Sequence, residues 1–192
     1  CLRFNDIENV GVSGKHFTSF VMIGQHCVAN DTGYWKNECI DLDYGLLTNV
    51  FGIPKKEIVF KEDVWVGYGA FGYSLEYYVR GLELGNAVFT QFEGDPTNYK
   101  TMDDKIIDMG AGLERFSWLT QGTPTAYESV FGSAIKNMID KCNIVYDQDF
   151  FENYSKFSGM LNLDEVSDIE LTRKQVAEKL GVDTDELIEK SP

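Results

Sequence analysis

Apolar positions at Ile40, Tyr44, Leu47 and Phe51 follow the spacing of one helix face, and Gly52 with Pro54 ends that run. A longer stripe at Tyr127, Val130, Phe131, Ala134, Ile135, Met138 and Ile139 predicts a helix over 126–141 packed on a sheet. Between them the period changes to that of strands. Ile58–Phe60 and Val64–Val66 read as short strands, Gly67–Gly72 as a glycine loop, and Ser74–Val79 and Leu84–Phe92 as two strands around Gly81. Residues 1–11 read as a strand entering a polar loop that returns through the apolar stretch Thr18–Ile23, giving an antiparallel hairpin with a long connection. Glu93–Asp104 is polar and turn-rich, and reads as a surface loop. From about Asn143 the chain becomes aromatic and acidic. Ser167 and Glu170 form a predicted capping box with a Val166–Leu171 staple, Gly181 ends that helix, and Asp183–Glu186 starts another. Successive hairpins with few intervening helices predict an α+β fold. Its expected form is an antiparallel sheet of about six strands flanked by helices, with a C-terminal helical segment.

Composition adds limits. The chain has 192 residues, 43% hydrophobic and 14% aromatic, ample for a core. No apolar run approaches the length of a membrane span and no signal-peptide pattern opens the chain, so a cytoplasmic protein without a membrane partner is expected, and the acidic character of the C-terminal helix pair argues against DNA. The four cysteines form no CxxC pair, and His16, His26 and Cys27 meet no zinc spacing, so no metal site is assigned to them. The net charge of −14 sits awkwardly with phosphate ligands, which require either a local basic face or help from other segments.

The chemistry concentrates in Ile106-Ile-Asp-Met-Gly-Ala-Gly-Leu-Glu-Arg-Phe116, read as a buried strand, a turn at Gly110 and Gly112, and a helix with Arg115 in its opening turn. Asp108 and Arg115 would flank that turn. The pair could hold an ammonium at one end and a phosphate at the other, or form an ordinary surface ion pair. Glu76, a carboxylate among apolar neighbours, requires an ion-pair partner or a bound cation.

The stretch Asp108–Phe116 resembles the third signature motif of class II aminoacyl-tRNA synthetases, and the following Thr120-Gln-Gly-Thr-Pro-Thr-Ala-Tyr127 narrows the resemblance to the archaeal type of alanyl-tRNA synthetase. Cys1-Leu-Arg3-Phe-Asn5-Asp6 through Gly14-Lys15-His16-Phe-Thr18-Ser-Phe20-Val-Met22 resembles that family's second motif. The resemblance implies ATP-dependent activation of alanine and its transfer to tRNA(Ala), with ATP and Mg²⁺ required. Arg3 would hold the α-phosphate and substrate carboxylate, Phe20 would stack on adenine, and His16, Glu76 and Arg115 would complete the ATP site. Arg115 would take the γ-phosphate and Glu76 would help place Mg²⁺. Met22, Asn86, Asp108 and Gly110 would form the amino-acid site, with Asp108 on the ammonium, while Asn5 and Asp6 would lie in the loop reaching the tRNA acceptor end. Residues 1–142 would then be a catalytic-core fragment and 143–192 the start of a tRNA-recognition region. The chain is expected to be part of a longer protein, with any homo-oligomer formed through segments outside it.

Three positions depart from the family pattern. Val21 stands where Glu is common, Lys15 where Arg is frequent, and Gly85 where bacterial relatives carry a pocket Trp. Two other readings therefore stay open: a related ATP-dependent ligase with a non-tRNA acceptor, and a non-catalytic binding module of the same fold.

Overall fold

The computed structural model describes residues 1–30, 33–161 and 168–191. The chain divides into two compact units, Met22–Leu113 and Cys1–Val21 with Glu114–Pro192.

The first unit is an antiparallel sheet in the order β1-β5-β4-β3-β2, formed by β1 (Met22–Val28), β2 (Ile58–Gly67), β3 (Ala70–Val79), β4 (Leu82–Asp95) and β5 (Asn98–Gly112). It has five strands where about six were expected. The Ile58–Phe60 and Val64–Val66 stretches are one continuous edge strand. The charges at Lys61, Glu62 and Asp63 that divide them in the sequence lie on a strand free to face water on one side. The expected 93–104 loop is instead the extended end of the β4–β5 hairpin. Its turn is held by Asp95, whose carboxylate accepts the N–H groups of Thr97 and Asn98 at 2.8 and 3.1 Å. Phe92 and Tyr99 pack at 5.0 Å across this hairpin and Phe71 stacks on Phe92 at 4.9 Å, so aromatic cross-strand pairs support a segment that looks polar residue by residue.

Alternation gives the sheet two faces. One carries Tyr77, Val79, Ala87, Phe89, Ile107, Met109 and Ala111, all essentially buried. The helix α1 (Lys36–Gly45), followed by one π-helical turn at Leu46–Val50, belongs to this side. Cys39 and Leu47 are fully buried, and Trp35 meets Phe89 edge-on at 5.5 Å. Gly85 also lies on this face, opposite Tyr77 and Ala111. A side chain there would meet the Gly110 carbonyl oxygen at 2.5 Å and the Tyr77 hydroxyl at 2.7 Å, so only a bare backbone fits. The opposite face carries the polar residues treated below.

One polar cluster lies within the apolar layer. The Cys39 thiol donates to Asp43 at 3.8 Å, and the Gln25 amide donates to the Tyr34 hydroxyl. Burial pushes the Asp43 carboxyl up to about 6 and, with the neighbouring Asp43 charge, the Cys39 thiol up to about 11.

In the second unit the expected amino-terminal hairpin is reduced to a single bridge, Leu2 with Ser19, flanked by the Arg3 N–H donating to Thr18 O at 3.0 Å and Phe20 N–H to Cys1 O at 3.1 Å. The connection between them is a folded loop, with Asp6 (φ +58°) and Gly11 (φ +88°) in the left-handed region. Helices α2 (Leu113–Gln121), α3 (Ala126–Phe131) and α4 (Ser133–Cys142) follow. The 126–141 helix is thus two, broken at Gly132 (φ +51°). Its apolar stripe is not a buried one: Phe131 is 50% and Met138 61% exposed, and α4 has no fully buried residue. Periodicity sets an apolar face but does not dictate what covers it.

The C-terminal helices α5 (Gln148–Tyr154), α6 (Ile169–Leu180) and α7 (Thr184–Lys190) make a small core of Tyr154, Leu161, Val176, Ala177 and Leu187. The expected Ser167 cap and Val166 staple lie outside the described residues; α6 is capped by Asp168, whose carboxylate accepts Leu171 N–H at 3.0 Å. Gly181 (φ +72°) ends α6, and Asp183 caps α7.

Two outcomes follow. Gly85→Ala should cost about 1–3 kcal/mol through overpacking against Gly110 and Tyr77, read as a lower urea midpoint with an unchanged m-value. Because the Asp43 carboxyl is raised in the folded chain, its contribution to stability is present below the ordinary value of 3.8 and is lost as pH rises through about 6. Unfolding free energies of the wild type and Asp43→Asn, compared at pH 4 and pH 7, should therefore diverge by on the order of 3 kcal/mol, with the wild type losing ground at pH 7.

Candidate functional site

The second face of the sheet is organised in rows. Directly paired residues place Lys61, Glu76, Asn86, Gly110 and Gly24 in one row across all five strands, and Asp63, Ser74, Val88, Asp108 and His26 in the next. Glu76, Asn86, Gly110 and Asp108 therefore share one face, although up to 34 residues separate them in the chain. Met22 opens β1 with the same parity as Gly24 and His26, and its sulfur lies 3.0 Å from where a Cβ on Gly110 would stand. The expected glycine turn is absent. Gly110 and Gly112 are strand residues, and β5 runs straight through them into α2. Close approach is what glycine supplies at Gly24 and Gly110: bare backbone there lowers the middle of the face, with the His26 ring over Gly24 and Met22 over Gly110.

Each carboxylate on this face has a defined partner. The Glu76 side chain, only 18% exposed, pairs with Lys61 at 3.1 Å and accepts the Tyr78 hydroxyl at 2.7 Å. Lys61 is held above its usual range by that pair. Asp108 is 59% exposed and meets His26 Nε2 at 2.8 Å. His26, which the sequence offers only as a discarded metal ligand, is thus a member of the polar face. The readable signal was its even spacing from Met22 along a strand.

The remaining predicted residues belong to the other unit. Arg3 and Phe20 come together there, the guanidinium standing 5.4 Å from the ring centroid. Asn5 and Asp6 form the turn that enters the loop, Asn5 exposed and Asp6 half-buried. His16 Nδ1 bonds the Ser13 hydroxyl, and its carbonyl accepts the Tyr127 hydroxyl at 2.7 Å. Tyr127 in turn accepts Gly11 N–H at 2.8 Å, while Ala126 N–H donates to Gly14 O at 2.8 Å. The loop is therefore clamped at both ends by the start of α3, whose own first turn is closed by a Thr125–Glu128 capping box. Arg115 occupies the first turn of α2, as expected, and is half-buried.

Beside Arg115, Glu114 has a part that the sequence did not suggest. One carboxylate oxygen accepts Val21 N–H at 2.9 Å, and the other is buried without a hydrogen-bond partner among the described residues. The position that lacks the family's customary Glu is thus bonded through its backbone to a Glu from the third motif.

The family model described as tRNA synthetases class II (A) matches residues 1–191. The chain is 56% identical over 183 residues to an alanine–tRNA ligase of Cenarchaeum symbiosum, covering 95% of this chain and 20% of that protein. It is 52% identical over 191 residues to one of Nitrosopumilus maritimus (99% and 21%) and 44% over 190 residues to one of Methanocella arvoryzae (97% and 22%). The chain thus spans about a fifth of the length of the curated relatives it matches. Among solved structures, a pyrrolysyl-tRNA synthetase from Desulfitobacterium hafniense overlaps 60% of this chain and 39% of its own at 15% identity and a TM-score of 0.40, too slight a likeness to bear on the fold. With the family model spanning all but the last residue, the chain belongs to the class II (A) tRNA synthetases.

Proposed function

We propose that this chain is the ATP- and amino-acid-binding part of an alanine–tRNA ligase that works in the cytoplasm. It would activate alanine as the adenylate and pass the aminoacyl group to tRNA(Ala). The observation that supports this best is the shared face of the sheet. A solvent-accessible carboxylate, Asp108, stands one row from Asn86 and Gly110, and the Met22 sulfur lies over Gly110. Near-complete coverage by alanine–tRNA ligases of 44–56% identity supports the same substrate.

The assignment gives the two units different ligands. Asp108 receives the ammonium of alanine by a charge-assisted hydrogen bond. Asn86 orients the substrate, Gly110 admits its Cα close to the strand, and Met22 bounds the methyl pocket. Arg3 neutralises the α-phosphate and the substrate carboxylate, Phe20 stacks on adenine, His16 contacts the nucleotide, and Arg115 takes the γ-phosphate. Glu76 would help place Mg²⁺ with the nucleotide, and the cation would offset phosphate charge there. The substrate carboxylate oxygen attacks the α-phosphorus and pyrophosphate leaves, so positioning and charge neutralisation carry the step without a covalent enzyme intermediate. Asn5 and Asp6 present the loop to the tRNA acceptor end. Residues 1–142 form the catalytic part and 143–192 begin the tRNA-recognition region.

The test is ATP–pyrophosphate exchange by the full-length protein with each amino acid in turn. Alanine-dependent exchange is expected, and Arg115→Ala should reduce it by about 100-fold or more while the thermal midpoint stays near that of the wild type. Exchange with another amino acid alone would retain the chemistry and displace alanine as substrate. ATP binding without exchange for any amino acid would favour a binding module.

A further inference from the structure

We propose that His26 is a positioning residue that sets the orientation of the Asp108 carboxylate for the amino-acid ammonium; this rests on the reading of Asp108 given above. The two residues face each other directly in the β1–β5 register, and His26 Nε2 stands 2.8 Å from Asp108 Oδ1. Among the described residues, His26 is the polar partner of that side chain.

The ring's place is prepared by the strand. A Cβ on Gly24 would come within 2.5 Å of His26 Cε1 and 3.2 Å of Nε2, so the imidazole lies over the one stretch of β1 that has no side chain. That leaning, along the strand and towards β5, brings Nε2 to Oδ1. The terminal torsion of an aspartate is broad and roughly two-fold, so an unrestrained carboxylate samples many orientations. A donor fixed on one oxygen removes that freedom and leaves the second oxygen for another donor.

An imidazole suits this post better than the longer cations. It can donate from Nε2 while uncharged, so it restrains the carboxylate without cancelling the negative charge that attracts an ammonium. A lysine in its place would neutralise Asp108 and repel the substrate. The glycine at 24, the imidazole at 26 and the carboxylate at 108 therefore act as one device: space, donor and acceptor.

The measurement is the alanine KM, the ATP KM and kcat in ATP–pyrophosphate exchange by the full-length protein, for the wild type, His26→Phe, His26→Gln and Gly24→Ala, each with a thermal melt. His26→Phe fills the same space without a donor and should raise the alanine KM by about tenfold, with the ATP KM and kcat within about twofold of the wild type. His26→Gln, which keeps an N–H donor at similar reach, should recover most of that loss. Gly24→Ala, which displaces the ring and leaves His26 in the sequence, should raise the alanine KM in the same direction. An alanine KM within twofold of wild type in His26→Phe, or equal losses in the Phe and Gln variants, overturns the proposal. Absence of alanine-dependent exchange in the wild type overturns the assignment of Asp108 itself, and the role of His26 with it.

Discussion

The register of β5 between β1 and β4 is the constraint on which the polar face depends. Asp108 and Gly110 meet His26 and Gly24 on one side and Val88 and Asn86 on the other because every side chain in a strand alternates between faces. A slip of one residue would turn Asp108 into the apolar layer and bring Ile107 and Met109 out to water. The core on the far side opposes that slip: Ile107, Met109, Ala111, Phe89 and Tyr77 are buried together, and their removal from solvent holds the register that aligns the polar row. Packing on one face thus fixes chemistry on the other, without any residue belonging to both.

Gly85 shows how tightly the faces are coupled. Its bare backbone lets the Gly110 carbonyl and the Tyr77 hydroxyl approach from the apolar side. The same stretch of β4 carries Asn86 on the polar side, one residue along. A side chain at 85 would press on the strand that bears Asn86 and on the one that bears Gly110. Read along the sequence, Gly85 invites comparison with a pocket-lining Trp. In the structure it stands on the face opposite Asn86, and its contribution to the polar face passes through backbone spacing.

The antiparallel α+β class, the α1 stripe, the strands around Gly81, the Gly181 stop and the Asp183 cap were legible because each rests on a local period or a short-range cap. Apart from the local break of the 126–141 helix at Gly132, what failed depended on partners distant in sequence. Charges at 61–63 made one edge strand look like two, since a single sequence does not reveal which strand has a solvent side. The polar 93–104 segment pairs as a hairpin because of Phe71, Phe92 and Tyr99, whose meeting requires the register. The two glycines of Asp108–Phe116 suggested a turn, yet close approach is the other use of a glycine, and neighbouring strands decided between them. The residues of the candidate site were named from the motifs; the sheet added that Glu76, Asn86, Asp108 and Gly110 share one face, and it added His26 as a neighbour of Asp108.

The two acids on opposite faces show what the sheet does with a negative charge. Asp43 is buried beside a thiol and a tyrosine-rich layer, where the loss of water disfavours its ionised form. Asp108 keeps more than half its surface in water and faces an imidazole. In a chain of net charge −14, the ammonium contact proposed for Asp108 competes with many other carboxylates on the surface. Long-range attraction alone would not choose among them. What distinguishes Asp108 is short-range geometry: an imidazole nitrogen 2.8 Å from one oxygen, bare backbone at Gly24 and Gly110, and the Met22 sulfur over Gly110. Those elements lie together on the paired strands β1 and β5.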